Sequence, residues 1–262
     1  MGFPAVHYGS FGDERTSSST KINGMPLGIK MVYPDGREFV HARAGASALV
    51  AGKVYTAPSG TADVLYGTGL NLAATVAVGA TSVAATAGGT TAVTKDQYAD
   101  GFLVTASSAG TGIGYSYKIK ANNSAATGAT VTFTLYETDS VQVAMAGGTT
   151  KVTVTPNQYN LVELAPASTA LFGRITGVAC ATAAASSYVW LQTKGEASVF
   201  CGATTAIRGE TLVCSTAAAG AVVPIVASTA GPTSDKAMIN VVGVAVSIAE
   251  TAGFVTANLK LS

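Results

Sequence analysis

Two stretches of the chain share one pattern of hydrophobic and polar positions. Residues 175–194 open with the run Ile-Thr-Gly-Val-Ala and close with Tyr-Val-Trp-Leu-Gln-Thr-Lys. Residues 241–260 open with Val-Val-Gly-Val-Ala and close with Phe-Val-Thr-Ala-Asn-Leu-Lys, in the same spacing. Each copy predicts a short apolar strand, a connection of small residues and a second strand that begins at an aromatic residue. One such unit cannot bury its apolar face alone, so the two copies are expected to build one β-domain together.

Part of this pattern also occurs upstream. Residues 39–48 resemble residues 188–199, because both have an aromatic residue followed by Val, then a basic residue, a glycine and small residues. A further glycine, Gly52 in the first case and Gly209 in the second, precedes an apolar segment. We predict that both are strand–turn–strand elements of the same sheet system, separated in sequence by a long insertion.

The insertion, residues 61–166, is rich in Thr, Ala and Gly and contains many short alternating runs. The clearest is residues 130–136, where apolar and polar residues alternate with a period of two, as in a half-buried strand. Short strands with turn residues between them favour a β-sandwich-like lobe. The sequence therefore predicts an all-β protein, in which residues 36–60 and 167–262 form a β-barrel-like base domain around this inserted lobe.

The first 35 residues differ from the rest of the chain. The aromatic residues Phe3, Tyr8 and Phe11 are separated by Gly and Pro, and a polar tract follows at residues 16–20. Such a segment has no hydrophobic core of its own. We interpret residues 1–35 as an extended N-terminal arm whose aromatic side chains pack on a neighbouring molecule. The alternative is a loose terminus with incidental aromatic residues.

The chain is poor in charge, with 11% charged residues and a net charge of +1 over 262 residues. Nucleic-acid binding needs a basic face on the protein, and nearly equal numbers of positive and negative residues do not indicate one. No apolar run reaches the roughly 18 residues of a membrane span, and the N-terminus lacks the basic and apolar regions of a secretory signal. Because a near-neutral surface gives little repulsion between molecules, we expect much of it to be covered by protein partners.

Few residues are candidates for catalysis or ligand binding. The three cysteines have unlike spacings, which suit neither a disulfide framework nor a zinc site, and are interpreted as small buried thiols: Cys180, Cys201 and Cys214. His7 and His41 have no sequence neighbours that would indicate a catalytic dyad, and Asp13 with Glu14 is interpreted as a solvated turn. Trp190, the only tryptophan, is interpreted as a core or interface anchor. We predict no catalytic residue, no cofactor and no metal ion.

Most of the chain after about residue 36 resembles structural proteins of tailed bacteriophages. It is similar in particular to capsid decoration (cement) proteins, which are built on small β-barrel or β-tulip modules. The segments that carry this resemblance are residues 44–54, 177–195, 209–213 and 243–245, and those similar to longer virion proteins of the same kind are 96–104, 117–120 and 156–160. The family has no catalytic residues to transfer.

The resemblance implies a non-enzymatic virion protein that sits on the outer surface of a phage capsid and stabilises neighbouring capsomers. Its partners would be the phage major capsid protein and further copies of itself, with a trimer favoured, and it would be made in the cytoplasm of the host bacterium. The main alternative is a head-fibre or adhesin-type protein that binds glycans or receptors on the host surface through the inserted lobe. A depolymerase would need a close pair of carboxylates in a cleft, which the sequence does not indicate.

Overall fold

The protein is all-β, as predicted, and consists of two units. The computed structural model describes residues 6–58, 67–87, 92–105, 110–167, 173–202, 205–225, 241–249 and 252–261. Unit 1 comprises Met1–Ser59 and Leu161–Ser262, and unit 2 comprises Gly60–Asn160. Unit 2 ends before the expected boundary at residue 166, because Glu163 and Leu164 already pair with a strand of unit 1.

The described residues of unit 1 form one eleven-stranded sheet. With strands numbered along the whole chain, it comprises β1 (Val6–Tyr8), β2 (Lys30–Val32), β3 (Glu38–Arg43), β4 (Val54–Thr56), β11 (Glu163–Leu164), β12 (Ile175–Ala179), β13 (Tyr188–Phe200), β14 (Thr211–Cys214), β15 (Val222–Pro224), β16 (Val241–Ala245) and β17 (Phe254–Lys260), with 3-10 helices at Asp13–Arg15 and Ile22–Gly24. The strand order is β1-β2-β3-β13-β17-β16-β14-β15, and β12 links β13 to β4, which pairs in turn with β11. The β1–β2 pair is parallel and the other pairs are antiparallel.

The long strand β13 is the centre of unit 1. Its first half pairs with β3 on one edge and with β12 on the other, and its second half pairs with β17. A strand that is covered on both faces has a continuous run of buried residues rather than an alternating one. Residues 189–193 are accordingly all buried, including the polar residues Gln192 and Thr193.

The two sequence copies form the same hydrogen-bonded structure twice. Val178 of β12 lies opposite Gln192 of β13, and 66 residues later Val244 of β16 lies opposite Asn258 of β17. On their other edges, β12 pairs with β4 and β16 pairs with β14. Both ladders contain a bulge next to the glycine of the repeat, Gly177 in β12 and Gly243 in β16. The predicted common framework is therefore present, with the same register in both copies.

The connections between the strands are equivalent as well. The N–H groups of Gly52 and Gly209 donate to the carbonyl oxygens of Ala179 and Ala245, both at 2.8 Å. The two glycines have φ angles of 75° and 90°, a left-handed region that other residues rarely adopt. Gly52 and Gly209 thus occupy equivalent positions in the two copies, as expected from the sequence.

The structural counterpart of residues 39–48 differs from residues 188–199, which resemble them in sequence. Arg43 at the end of β3 pairs with Tyr188, as Phe200 at the end of β13 pairs with Phe254. The structural equivalent of β3 is therefore the second half of β13, not its first half.

Unit 1 consists of two tandem modules. Module 1 contains β3, β4, β11, β12 and the first half of β13. Module 2 contains the second half of β13, β14, β15, β16 and β17.

Unit 2 lies in the connection between β4 and β11 of module 1, where module 2 has only residues 215–221 between β14 and β15. Its strands are β5 (Gly67–Asn71), β6 (Ser82–Thr86), β7 (Phe102–Thr105), β8 (Ser116–Asn122), β9 (Thr130–Leu135) and β10 (Lys151–Thr155). They form one antiparallel sheet in the order β5-β10-β7-β8-β9-β6. A bridge between Leu72 and Ala85 joins the two ends, so the sheet curls around its own core.

The core of unit 2 comes from alternate positions of these strands. In β9, residues 131, 133 and 135 are buried while 130 and 134 are exposed, which confirms the strand predicted from the strict alternation of residues 130–136. The large side chains of the core are Tyr98, Tyr117, Phe133 and Met145. Tyr98 and Phe133 meet edge to face with ring centroids 5.7 Å apart, an arrangement that aromatic pairs prefer.

The N-terminal segment, residues 6–33, differs from the predicted extended arm because it packs on unit 1. β1 pairs with β2, and β2 pairs with β3. Met31 and Tyr33 belong to one hydrophobic cluster with Phe39 and Trp190. The alternation of residues 29–33 and the turn Pro34-Asp-Gly predict the hairpin of β2 and β3, which is confirmed. The packing of residues 6–28 was not predicted, because the apolar residues of this part come singly from turns and from a three-residue strand.

Candidate interaction surface

A buried carboxylate fixes the N-terminal segment to unit 1. The Glu14 Oε2 atom accepts hydrogen bonds from the Tyr33 hydroxyl at 2.5 Å and from the Gly12 N–H at 2.7 Å. The N–H of Glu14 donates in turn to the Tyr33 oxygen at 2.9 Å. Burial alone would raise the pKa of Glu14, but the hydrogen bond from Tyr33 and the backbone hydrogen bonds outweigh it and lower that pKa. The prediction of a solvated turn at Asp13 and Glu14 is therefore corrected for Glu14.

Arg37 provides a second anchor. Its guanidinium carbon lies 5.1 Å from the ring centre of Tyr33, 5.6 Å from that of Phe39 and 5.7 Å from that of Phe11. Its Nε atom is 2.7 Å from the Asp35 carboxylate, which orients the guanidinium group. Because a cation over aromatic faces is attracted by the ring quadrupoles, Arg37 holds Phe11 close to unit 1 without burying it.

Two of the predicted contact residues are displayed on this anchored segment. Tyr8 is 82% exposed and Phe11 is 66% exposed. Phe3 lies outside the described residues. Trp190 is only 3% exposed and packs in the cluster beneath the N-terminal segment, so its side chain belongs to the core rather than to a contact surface. The structure thus brings Tyr8 and Phe11 to one surface and separates Trp190 from it.

Two connections at one end of the modules also expose apolar side chains. We call residues 45–52 with 180–187 tip 1, and residues 205–209 with 246–249 tip 2. Tip 1 exposes Val50, and tip 2 exposes Ile207 and Ile248, which are 55% and 69% accessible. Sequence reasoning missed these residues, because it interpreted both regions only as connections of small residues.

A cleft of about 330 Å³ lies between the N-terminal segment and the two modules. Its lining includes Cys180 and four charged residues, Glu14, Arg15, Arg37 and Glu196, so its two negative and two positive charges are balanced. Burial, together with the negative charge of Glu14, raises the pKa of the Cys180 thiol to about 12. Cys180 therefore remains a thiol at neutral pH, which is the unreactive form of the side chain.

The histidines take part in aromatic packing. The His7 ring stacks on Trp190 with centroids 6.3 Å apart, and the His41 ring lies 5.3 Å from Trp190. His41 Nδ1 is 3.1 Å from the carbonyl oxygen of Pro26. Cys201 and Cys214 are buried, as predicted, whereas Cys180 is only partly buried.

The described part of the chain contains no cluster of three or more His, Cys, Asp or Glu side chains that could hold a metal ion. Its helices are two three-residue 3-10 turns, and none has the length or hydropathy to cross a membrane. The described surface of unit 1 is thus characterised by exposed aromatic and branched side chains next to balanced charges.

The chain matches no family model. Searches of curated proteins and of solved structures found no match either.

Sequence reasoning missed the residues that anchor this surface. The Glu38 carboxylate accepts hydrogen bonds from Lys30 at 2.7 Å and from Lys194 at 2.8 Å. The hydrogen bonds from Lys194 and Lys30 lower the pKa of Glu38. Lys194 lies 156 residues away in sequence, so no local pattern links the two residues. The only available signal was the turn Pro34-Asp-Gly, which predicts a hairpin and places Arg37 and Glu38 at the start of its second strand.

Glu14→Gln is expected to lower the free energy of unfolding by about 1–2 kcal/mol at neutral pH, because a charged acceptor of buried hydrogen bonds is lost. An unfolded Glu titrates near 4.5, and the pKa of folded Glu14 is lower. Its stabilisation is thus present above pH 4.5 and is lost as the pH falls through the folded pKa. Urea unfolding from pH 7 to pH 3 should show the difference between wild type and variant shrinking in this range. The exposed Glu137 serves as the matched control, and a Glu137→Gln effect as large as that of Glu14→Gln would contradict the assignment.

Proposed function

We propose that this protein is a non-enzymatic structural protein of a bacteriophage virion, which binds the outer surface of the capsid and stabilises neighbouring capsomers. The observation that carries the proposal is the display of Tyr8 and Phe11 on a segment that is itself anchored by Glu14 and Arg37. An anchored segment could bury its aromatic side chains against its own domain, but both of these remain more than half exposed. Large exposed apolar groups of this kind are characteristic of contact surfaces.

The edge of the sheet supports the same proposal. β1 is the terminal strand of its sheet, and among the described strands it pairs only with β2. An edge strand presents N–H and C=O groups to which an extended segment of another chain can add. Tyr8 lies in this strand and Phe11 follows it closely, so backbone pairing and aromatic burial would act on one partner surface.

The low charge of the chain fits a permanent contact better than a transient one. With 11% charged residues, few charges have to be desolvated when the surface is covered, and buried unpaired charges are costly. Obligate interfaces are also more apolar than transient ones. The resemblance of residues 44–54 and 177–195 to cement proteins supports the same function, and we expect copies of the chain to associate on the capsid, with a trimer favoured.

The test is to add the purified protein to expanded phage capsids that lack it and to measure their heat stability by light scattering. We expect the capsids to disrupt at a higher temperature with the protein than without it. Tyr8→Ser combined with Phe11→Ser should weaken binding at least tenfold, since two central contact residues contribute more than about 1.4 kcal/mol. Val78→Ser, an exposed apolar residue of unit 2, should leave binding unchanged. Equal heat stability with and without the protein would reject the function.

A second candidate function, glycan or receptor binding by a head-fibre or adhesin-type protein, is favoured by one feature of unit 2. Phe102 and Tyr115 are exposed at the two ends of the β7–β8 pair, and the Lys118 ammonium lies 4.0 Å from the Phe102 ring centre. Aromatic faces beside polar groups are the usual lining of sugar-binding sites. Binding to purified host-surface glycans that is lost in Tyr115→Ala would favour this candidate over the capsid function.

A further inference from the structure

We propose that the cleft between the N-terminal segment and the two modules is a binding site for a neutral saccharide. The residues that line it all belong to the described part of unit 1. Tyr8 and Phe11, which carry the proposed capsid contact, are not among them. Saccharide binding would therefore be a further function of the chain, and it does not depend on capsid binding.

The space is large enough for a small molecule. The cleft has a volume of about 330 Å³, and a second cavity of about 480 Å³ shares Arg37 and Glu196 with it. Small-molecule sites usually have volumes of about 300–1,000 Å³. Because the two spaces share lining residues, they adjoin, and they can hold two successive units of one saccharide with Arg37 and Glu196 between them.

Several polar groups of the cleft have hydrogen-bonding capacity that the described residues do not use. Arg37 pairs through its Nε atom with Asp35, and no described residue accepts a hydrogen bond from the rest of its guanidinium group. The Glu196 carboxylate and the Ser198 hydroxyl have no hydrogen-bonding partner among the described residues either. Both side chains are exposed at alternate positions of β13, so they lie on one face. The cleft thus offers a ligand both donors and acceptors.

An aromatic wall lies beside these polar groups. Phe254 lines the cleft and is 55% exposed. Its ring packs on the backbone of Gly52, where a Cβ atom would lie 2.5 Å from the ring. The equivalent glycine of module 2, Gly209, has no described atom within 4 Å of such a Cβ. The close contact of glycine and ring is therefore specific to the cleft and does not follow from the repeated fold. The C–H groups of a sugar ring can pack on an aromatic side chain in this position.

The charges of the lining select the class of ligand. Glu14 and Glu196 are negative, and Arg15 and Arg37 are positive. An anion would lie close to two carboxylates and a cation close to two guanidinium groups, and like charges in contact are unfavourable. An apolar ligand would cover these charged groups without giving them partners. A sugar hydroxyl both donates and accepts, so a neutral saccharide can pair with the guanidinium and carboxylate groups at once.

An NMR titration of the ¹⁵N-labelled full chain tests the inference, with maltose, lactose and N,N′-diacetylchitobiose as probes. We expect at least one of them to shift the amide signals of residues 52, 196–198 and 254. Phe254→Ala and Glu196→Ala should each weaken this binding at least about tenfold, since each removes a central contact. Tyr115→Ala in unit 2 is the matched aromatic control and should bind as wild type. Phe254 also contacts Phe200, so Glu196→Ala, with its exposed side chain, is the variant expected to unfold thermally like wild type.

Further titrations with glycine and acetate distinguish the other ligand classes. If one of these charged ligands shifts the cleft signals and the saccharides do not, the cleft takes a charged ligand and the inference is wrong. It is also wrong if no probe shifts these signals, or if saccharide binding is lost in Tyr115→Ala and kept in Phe254→Ala and Glu196→Ala. Capsids that gain no heat stability from the protein would reject the cement function and leave saccharide binding untouched, so the two failures are distinguishable.

Discussion

Trp190→Ala is expected to lower the free energy of unfolding of unit 1 by about 3–5 kcal/mol, the usual cost of removing a large buried aromatic side chain. The Trp190 side chain fills the space between the N-terminal segment and β13, where it packs with Met31, Tyr33 and Phe39. The surrounding residues come from a three-residue strand and a hairpin that cannot collapse far into the cavity. Calorimetric unfolding of wild type and variant measures the difference, because the variant has no tryptophan fluorescence.

Tyr8→Ala is the control for this prediction. Tyr8 is also aromatic and lies on the same segment, but it is exposed, so its loss should change stability by less than about 0.5 kcal/mol. The two variants should differ in the opposite sense in capsid binding, where Tyr8→Ala acts on the contact surface directly. If Trp190→Ala unfolds like wild type, the described packing of the N-terminal segment is incorrect.

The sequence predicted the framework of unit 1 because its signal is both periodic and duplicated. The spacing of residues 175–194 and 241–260 is retained as two ladders with the same register. The alternation of residues 130–136 likewise predicted β9, since a strand with one buried face has a period of two. Patterns of this kind can be detected because several residues of one strand contribute to the same buried face.

Other parts of the fold depend on single long-range contacts, which leave no pattern. The curled sheet of unit 2 is joined by one bridge between Leu72 and Ala85. The boundary of unit 2 depends on the two-residue strand β11, which pairs with β4 across the whole insertion. Residues 39–48 were compared with the wrong half of β13 because this strand belongs to both modules. Its first half resembles β3 in residue types, whereas its second half is the structural equivalent of β3.

The candidate surface was predicted only in part. The exposure of Tyr8 and Phe11 could be predicted because aromatic residues between Gly and Pro have no partners in a periodic element, and their role as contact residues stays a prediction. Their attachment through Glu14 and Arg37 could not, since these charged residues had no distinguishing sequence context. The tips could not be identified either, because exposure of Val50 and Ile207 follows from the bridges that bury the residues beside them.

The glycine in each copy of the repeat has a structural role that the sequence did not explain. A Cβ atom on Gly243 would lie 2.2 Å from the carbonyl oxygen of Asn258, and one on Gly177 would lie 2.9 Å from that of Gln192. Asn258 and Gln192 occupy equivalent positions in β17 and β13. Because the obstacle is a backbone atom of the paired strand, a rotamer change cannot relieve the overlap, and the ladder itself has to move.

Gly243→Ala is therefore expected to lower the free energy of unfolding by about 3 kcal/mol, at the upper end of the cost of overpacking, through loss of pairing between β16 and β17. Gly177→Ala should act in the same direction, because its Cβ would meet the paired strand and its φ angle of 153° is one that side-chain-bearing residues rarely adopt. Gly202 is the matched control, since its Cβ would meet no atom closer than 3.5 Å, and Gly202→Ala should change stability little. Urea unfolding followed by circular dichroism measures all three variants. Equal stability of Gly243→Ala and Gly202→Ala would mean that β16 can separate from β17 without cost, which is incompatible with a module held together by this ladder.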